Sequence, residues 1–216
     1  MTNFGSRQLR LVEPFIPAFR EARSAVGAAD LLAQAEECKT VAEAVRDCVL
    51  VVGTTAVRDR VPQQPVQSLG ESSARTIQEH LSTAKVALLF GSEKIGLTNS
   101  DFSHCQWLLR IPTKPRNISM NLGQSVAVCL YELAREVAAT PAASEVEMPT
   151  AGDMEHITEC LLECLQISGY VKPGSDAMFE KKARTLIRRF RLEAYDAKLL
   201  LGMLRQIVWK LRQSKG

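Results

Sequence analysis

The chain contains no apolar run approaching the ~18–20 residues that a membrane-spanning helix requires; the longest is Val49–Val52 with its flanks. Met1 is followed by polar TNFGSRQ, without the apolar core of a secretory leader, so a cytoplasmic, non-secreted chain is expected. The cysteines lie at 38, 48, 105, 129, 160 and 164, and no two form a C-x-x-C pair. That dispersion argues against a disulfide framework and favours buried, reduced thiols. G-x-G-x-x-G and G-x-x-x-x-G-K-[ST] are both absent, so neither a Rossmann nor a P-loop phosphate site is supported. No Ser-His-Asp or H-E-x-x-H arrangement stands out, and there are no internal repeats. His156, Cys160 and Cys164 recur every four residues, a spacing that permits metal ligands, but they share their face with Ile157 and Leu161. Core packing is the better reading, and no metal is expected.

What is present is an ordinary globular composition, 46% hydrophobic and 24% charged over 216 residues, enough for one or two domains. The net charge of +3 is unevenly distributed. From Asp153 to Gly216 there are twelve Lys/Arg against eight Asp/Glu, net +4, whereas the remainder has fifteen against sixteen. The positive charge belongs to the C-terminal part.

Gln8–Glu13 alternates and stops at Pro14, which reads as a strand. Ala18–Glu37 reads as mostly helix with a break near Gly27, and Val41–Asp47 as a short helix. Cys48–Gly53 (CVLVVG) and Val86–Phe90 (VALLF) are continuous apolar runs, the pattern of strands covered on both faces of a parallel sheet. Thr54–Gly70 reads as loop, Glu71–Thr83 as helix, Trp107–Ile111 as strand and Met120–Ala138 as a long helix. Strands alternating with helices predict an α/β fold with a mostly parallel sheet over residues 1–138. Residues 139–152 (ATPAASEVEMPTAG) read as a linker. Residues 153–216 read as a small three-helix module, with helices at Asp153–Ser168, Asp176–Arg191 and Glu193–Gln213.

Three segments punctuate the strand ends: VVGTTA, FGSEKIGLTNSDF, and IPTKPRNISMNLGQSVAVCLYEL. In open α/β sheets, ligands bind beyond the carboxyl ends of the strands. Backbone groups in such loops can hold an adenine and a ribose, and a helix start near Met120 adds unpaired N–H donors.

In this order and spacing the three segments resemble the signature of the SpoU/TrmH group of SPOUT RNA methyltransferases, the second and third matching that group's second and third motifs. The resemblance covers nearly the whole chain and is nearest to the members that methylate tRNA ribose in the anticodon loop. It implies a trefoil knot formed as Ile111–Asn121 threads through a loop, a feature that no general topological rule predicts. It also implies S-adenosylmethionine as cofactor, a homodimer, and tRNA as partner. Carried over by motif, the cofactor contacts are Thr54, Thr55, Ala56, Gly91, Ile111, Ile118, Ser119 and Met120; Glu93, Ser119 and Asn121 match the polar positions near the reacting centre. The implied chemistry is methyl transfer to a ribose 2′-hydroxyl, in which positioning supplies much of the barrier reduction and a base or cation supplies more.

The group's first motif, N-x-G-x-x-x-R, is not matched: four residues after Gly5 stands Leu9, and the following RLVEP reads as the group's second strand. A start assigned too late is the preferred reading over a truncated chain or a shortened gene product. The expectation is that a form extended at its N-terminus is more stable and more active. The alternatives to a tRNA enzyme are an RNA-binding pseudoenzyme of the same fold and the same chemistry on ribosomal RNA.

Lys181, Arg184, Arg188 and Arg191 recur at intervals of three and four, predicting a basic stripe for RNA phosphates, widened by Lys182 and Arg189. Phe179, Ala183, Leu186, Ile187 and Phe190 are expected to pack the other side.

Overall fold

The computed structural model describes residues 1–6, 8–14, 29–56, 61–114, 120–135, 147–172 and 174–213. Six strands are present among them: β1 Arg10–Val12, β2 Glu36–Cys38, β3 Leu50–Thr54, β4 Val66–Ser68, β5 Val86–Leu89 and β6 Trp107–Arg110. Eight α-helices accompany them: α1 Ala29–Ala33, α2 Val41–Val45, α3 Glu71–Leu81, α4 Asn99–Ser103, α5 Leu122–Ala134, α6 Ala151–Ile167, α7 Asp176–Arg189 and α8 Ala194–Gln213. β4, β6, β3 and β5 form a parallel sheet in that order, and β1 pairs with β2, also parallel.

The apolar runs lie at the centre of this sheet because alternate side chains serve two cores. Val51 and Leu108 point into a cluster with Val45, Leu97, Phe102 and Cys105, on the face covered by α2 and α4. Leu50, Val52, Trp107 and Leu109 point the other way, onto Ile77 of α3 and Cys129 of α5. A strand covered on both faces has no polar side to show, which is why CVLVVG carries no alternation.

Two readings change. Glu36–Cys38, expected to end a helix, pairs as β2 with β1, and Val66–Ser68, expected to be loop, is the edge strand β4. Both are three residues long and mostly exposed, too short to show a period. The expected helix from Ala18 is described only from residue 29, so its portion at 18–28, including the break near Gly27, lies outside the described residues, as do 136–138 of the long helix.

α6, α7 and α8 pack on their own core of Met154, Ile157, Cys164, Ile187, Ala197, Leu204 and Val208. Cys164 is in that core and Cys160 packs against it, whereas His156 is exposed; among the described residues no cluster of potential metal ligands occurs. All six cysteines are free thiols, and burial pushes Cys48 and Cys129 up to about 11 and Cys105 to about 12. No described helix is long and apolar enough to cross a membrane.

The helical module is joined directly to the α/β part. α6 begins at Ala151, so the last two residues of the expected 139–152 linker are its first turn, opened by a Thr150–Asp153 capping box. The Ala151 amide donates to the Cys48 carbonyl (2.7 Å) and the Gly152 amide to the Arg46 carbonyl (2.9 Å). A Cβ at Gly152 would lie 3.0 Å from that same Arg46 oxygen, so glycine permits the approach.

An ion network ties the small sheet to the large one. Arg10 on β1 donates to both oxygens of Asp47, to the Ala44 carbonyl (2.8 Å) and to Glu36 on β2 (2.9 Å). Lys85, just before β5, donates to Asp47 as well (2.7 Å). These hydrogen bonds, Arg10's foremost, hold the Asp47 carboxyl far below its ordinary value of 3.8. Asp47→Asn should therefore lower stability by about 1–2 kcal/mol near neutral pH, a charged hydrogen bond discounted for partial exposure. Because the folded carboxyl ionises at lower pH than the unfolded one, that advantage is full above the ordinary value and disappears as the pH falls below it. Denaturant titrations of both proteins at pH 7 and pH 3 check this; an equal gap at both pH values contradicts it.

Candidate active site

The register of the sheet gathers the expected cofactor residues at one edge. Thr54, the last residue of β3, lies opposite Leu109 of β6, and Gly53 lies opposite Leu89 of β5. The Thr54 hydroxyl donates to the Leu89 carbonyl (2.9 Å), and the Thr55 amide to the Leu109 carbonyl (3.0 Å). Ala56 follows, exposed. Ile111, one residue beyond β6, packs against the core under α3 and α5. Thr54, Thr55, Gly91 and Ile111 thus stand at the carboxyl ends of three adjacent parallel strands.

Gly53 permits this packing: a Cβ there would sit 2.8 Å from the Cys105 sulfur and 2.9 Å from a Leu108 methyl. Gly91 is tighter still. A Cβ on it would meet the Gly96 carbonyl carbon at 2.0 Å and the Leu97 nitrogen at 2.1 Å. The loop folds back on itself here, with Ser92 bridged to Gly96 and the Gly96 amide donating to the Ser92 carbonyl (2.8 Å). Gly96 adopts a φ of 67°, the left-handed region, which closes the turn. Leu97 is buried in the core, and Thr98 caps α4 through a box with Asp101. Glu93 sits on the exposed tip of this turn, a carboxylate on a short, firmly anchored loop.

Asn121 caps α5. Its Oδ1 accepts from the amides of Gly123 (2.9 Å) and Gln124 (3.4 Å), leaving its NH2 group as the remaining donor set. Met120 precedes it, half-buried. Ile118 and Ser119 lie outside the described residues, and with them the centre of the segment expected to form the knot.

The basic stripe is corrected. Arg184 and Arg188 are 6% and 2% exposed, against α6 rather than solvent. Arg184 forms a bidentate pair with Glu155 (2.6–3.0 Å), reaches Glu180 (2.5 Å), and donates from Nη1 to Ser103 Oγ (3.2 Å). Arg188 donates to the Ala151 carbonyl (3.0 Å) and stands 3.9 Å from Glu155. A buried guanidinium already paired with a carboxylate is unavailable to a phosphate. Leu186 and Phe190, expected in the core, are instead 40% and 50% exposed. The buried residues of α7 are Ala183, Arg184, Thr185, Ile187 and Arg188, a face turned from the expected one. The exposed cations on and just after α7 are Lys181, Lys182, Arg189 and Arg191. Lys182 lies 5.4 Å from the centre of the Phe179 ring. Glu155 was missed because its partners Arg184 and Arg188 lie 29 and 33 residues away; the legible signal was that Arg184 and Arg188 each adjoin an apolar position of α7, Ala183 and Ile187.

The chain belongs to the family whose model is described as the SpoU rRNA Methylase family, which matches residues 1–131. Among its relatives, it is 34% identical over 215 residues to the tRNA (cytidine/uridine-2'-O-)-methyltransferase TrmJ of Yersinia pestis (strain Pestoides F), covering 96% of this chain and 83% of that one. It is also 34% identical to the TrmJ of Klebsiella pneumoniae subsp. pneumoniae, covering 100% and 90%. The crystal structure of TrmJ from Z. mobilis ZM4 superposes with a TM-score of 0.82 at 32% identity, covering 96% and 89%. The mixed α/β, parallel-sheet architecture is therefore that of SpoU-type methyltransferases.

Gly91→Ala tests the loop. Overpacking against backbone should lower the melting temperature by about 3–10 °C. The Gly96 amide should exchange faster while β3 amides keep their protection; an unchanged Gly96 amide contradicts the close approach.

Proposed function

We propose that this chain transfers a methyl group from S-adenosylmethionine to a ribose 2′-hydroxyl of tRNA, in the cytoplasm, as a homodimer with a knotted cofactor site. One observation carries the reading: the motif residues Thr54, Thr55, Gly91 and Ile111 share one sheet edge in a chain that matches, over 96% of its length, a relative named as a tRNA 2'-O-methyltransferase. In this reading residues 1–138 belong to the methyltransferase part and the helices from Ala151 onward to the RNA-binding module.

The donor set suits the cofactor. Thr54, Thr55, Ala56, Gly91, Ile111 and Met120 bring hydroxyl, backbone and apolar groups but no charged side chain, which suits a neutral adenine and its ribose. With Ile118 and Ser119 they would hold S-adenosylmethionine, which supplies an electrophilic methyl on a sulfonium. In this reading Glu93, on its anchored turn, accepts the proton of the attacking hydroxyl. The Asn121 NH2 and the Ser119 hydroxyl orient that ribose. Because these groups position rather than bond covalently, their removal should lower kcat more than cofactor affinity.

Exposed Lys181, Lys182, Arg189 and Arg191 contact phosphate, replacing the stripe through Arg184 and Arg188. The first test is transfer of labelled methyl to unmodified bulk tRNA and to ribosomal RNA, followed by nucleoside analysis. A 2′-O-methylated nucleoside in tRNA is expected; methyl on a base refutes the reading, and methyl in ribosomal RNA alone moves the substrate. Lys181→Ala/Arg191→Ala should weaken tRNA binding about tenfold and flatten its salt dependence by roughly 1.5 in log–log slope, with cofactor affinity unchanged.

A further inference from the structure

The buried charges at the junction of the helical module and the α/β part have no place in the chemistry above. Glu155 on α6, 15% exposed at its side chain, faces Arg184 and Arg188 of α7. Burial pushes the Glu155 carboxyl upward, but the Arg184 hydrogen bonds and charge outweigh it and hold it ionised. Burial lowers Arg188 to about 10, leaving it charged at neutral pH with its Nε and Nη1 unpartnered. His104, next to Ser103, is lowered to about 4 by burial and then by the Arg184 charge, so it is neutral. Two arginines therefore share Glu155, helped by the half-exposed Glu180.

Such a cluster is a poor source of stability, since apolar side chains of equal volume usually do as well. What it provides is direction: a bidentate pair fixes the angle of the guanidinium, and Arg184 extends that fixed group across to Ser103 Oγ on α4. Among the described residues the module is also joined at the first turn of α6, through Ala151 and Gly152, and α7 packs on α4. A body attached at one turn can swivel about it, and a second, directional attachment removes that freedom. The second attachment lies on α7, the same helix that carries the exposed Lys181 and Lys182.

We infer that Glu155, Arg184 and Ser103 form a clasp that fixes the angle of the helical module on the α/β part, making Arg184 a positioning residue for RNA. This rests on the functional reading above, since it assigns the clasp the task of aiming the basic face at the methyl-transfer edge. Arg184 acts on RNA only through the placement of α7; it never touches a phosphate itself.

Glu155→Gln and the milder Ser103→Ala test it in the full chain. Glu155→Gln should raise the KM for tRNA about tenfold and Ser103→Ala about threefold, in keeping with the loss of a buried ionic partner and of one charged hydrogen bond, with kcat within about twofold of wild type. In hydrogen exchange the Ala151 and Gly152 amides should exchange faster in both variants, while β3 amides keep wild-type protection. Unchanged KM in folded Ser103→Ala and Glu155→Gln overturns the proposal. So does a loss in kcat at constant KM, or a parallel rise in β3 exchange, which marks general destabilisation. A wild-type chain that transfers no methyl refutes the functional reading instead, and the exchange of Ala151 and Gly152 then decides whether the clasp exists.

Discussion

Burial of β3 and β6 on both faces is the constraint from which the rest of the structure follows. Val51 and Val52 are 0% exposed although their side chains point to opposite sides, so both faces must be covered. α2 and α4 cover one face, and α3 and α5 the other. Helices on both faces are what parallel connections produce, and parallel strands all end at the same edge. The loops after β3, β5 and β6 are therefore neighbours by necessity, and the residues that begin those loops converge without any direct attraction among them. The close approach at Gly53 and the folded-back turn at Gly91 are consequences of the same packing: neither has room for a Cβ, one against Cys105 and Leu108, the other against its own loop.

A second constraint is the cost of placing charge out of water. It separates the basic residues of α7 into two populations with different work. Lys181 and Lys182 remain exposed to solvent. Arg184 and Arg188 are withdrawn from solvent, and their burial is compatible with folding only because Glu155 lies opposite. The helix thus presents one basic face outward and holds another inward, and the inward one joins two structural units. Asp47 plays a comparable part between Arg46 and Cys48, whose carbonyls receive the first turn of α6: its carboxylate accepts from Arg10 of β1 and from Lys85, just before β5.

Much of this was readable from the chain. The two apolar runs, the three C-terminal helices and the loop that follows β5 stand where their patterns place them, because burial on both faces and helical periodicity leave clear marks in sequence. The strands β2 and β4 were not readable: three residues at an edge are stabilised by pairing with β1 and β6, and nothing local distinguishes them from loop. Asn121 was legible as a motif position, but its Oδ1 bonds to Gly123 and Gln124 belong to helix capping, a task that the motif did not reveal.

The sequence by itself determined the class of fold, the positions of its buried strands and the motifs by which the chain is placed in the SpoU methylase family. It did so because hydrophobic periodicity and motif spacing are local properties, written over a few dozen residues. Tertiary structure alone decided which arginines face water. A helical wheel turns only 100° between neighbours, so Arg184 and Lys181 differ by a small rotation, and the direction of that rotation is set by what lies across the interface. Glu155 and Ser103, 29 and 81 residues away along the chain, supply that interface, and no spacing within α7 encodes them.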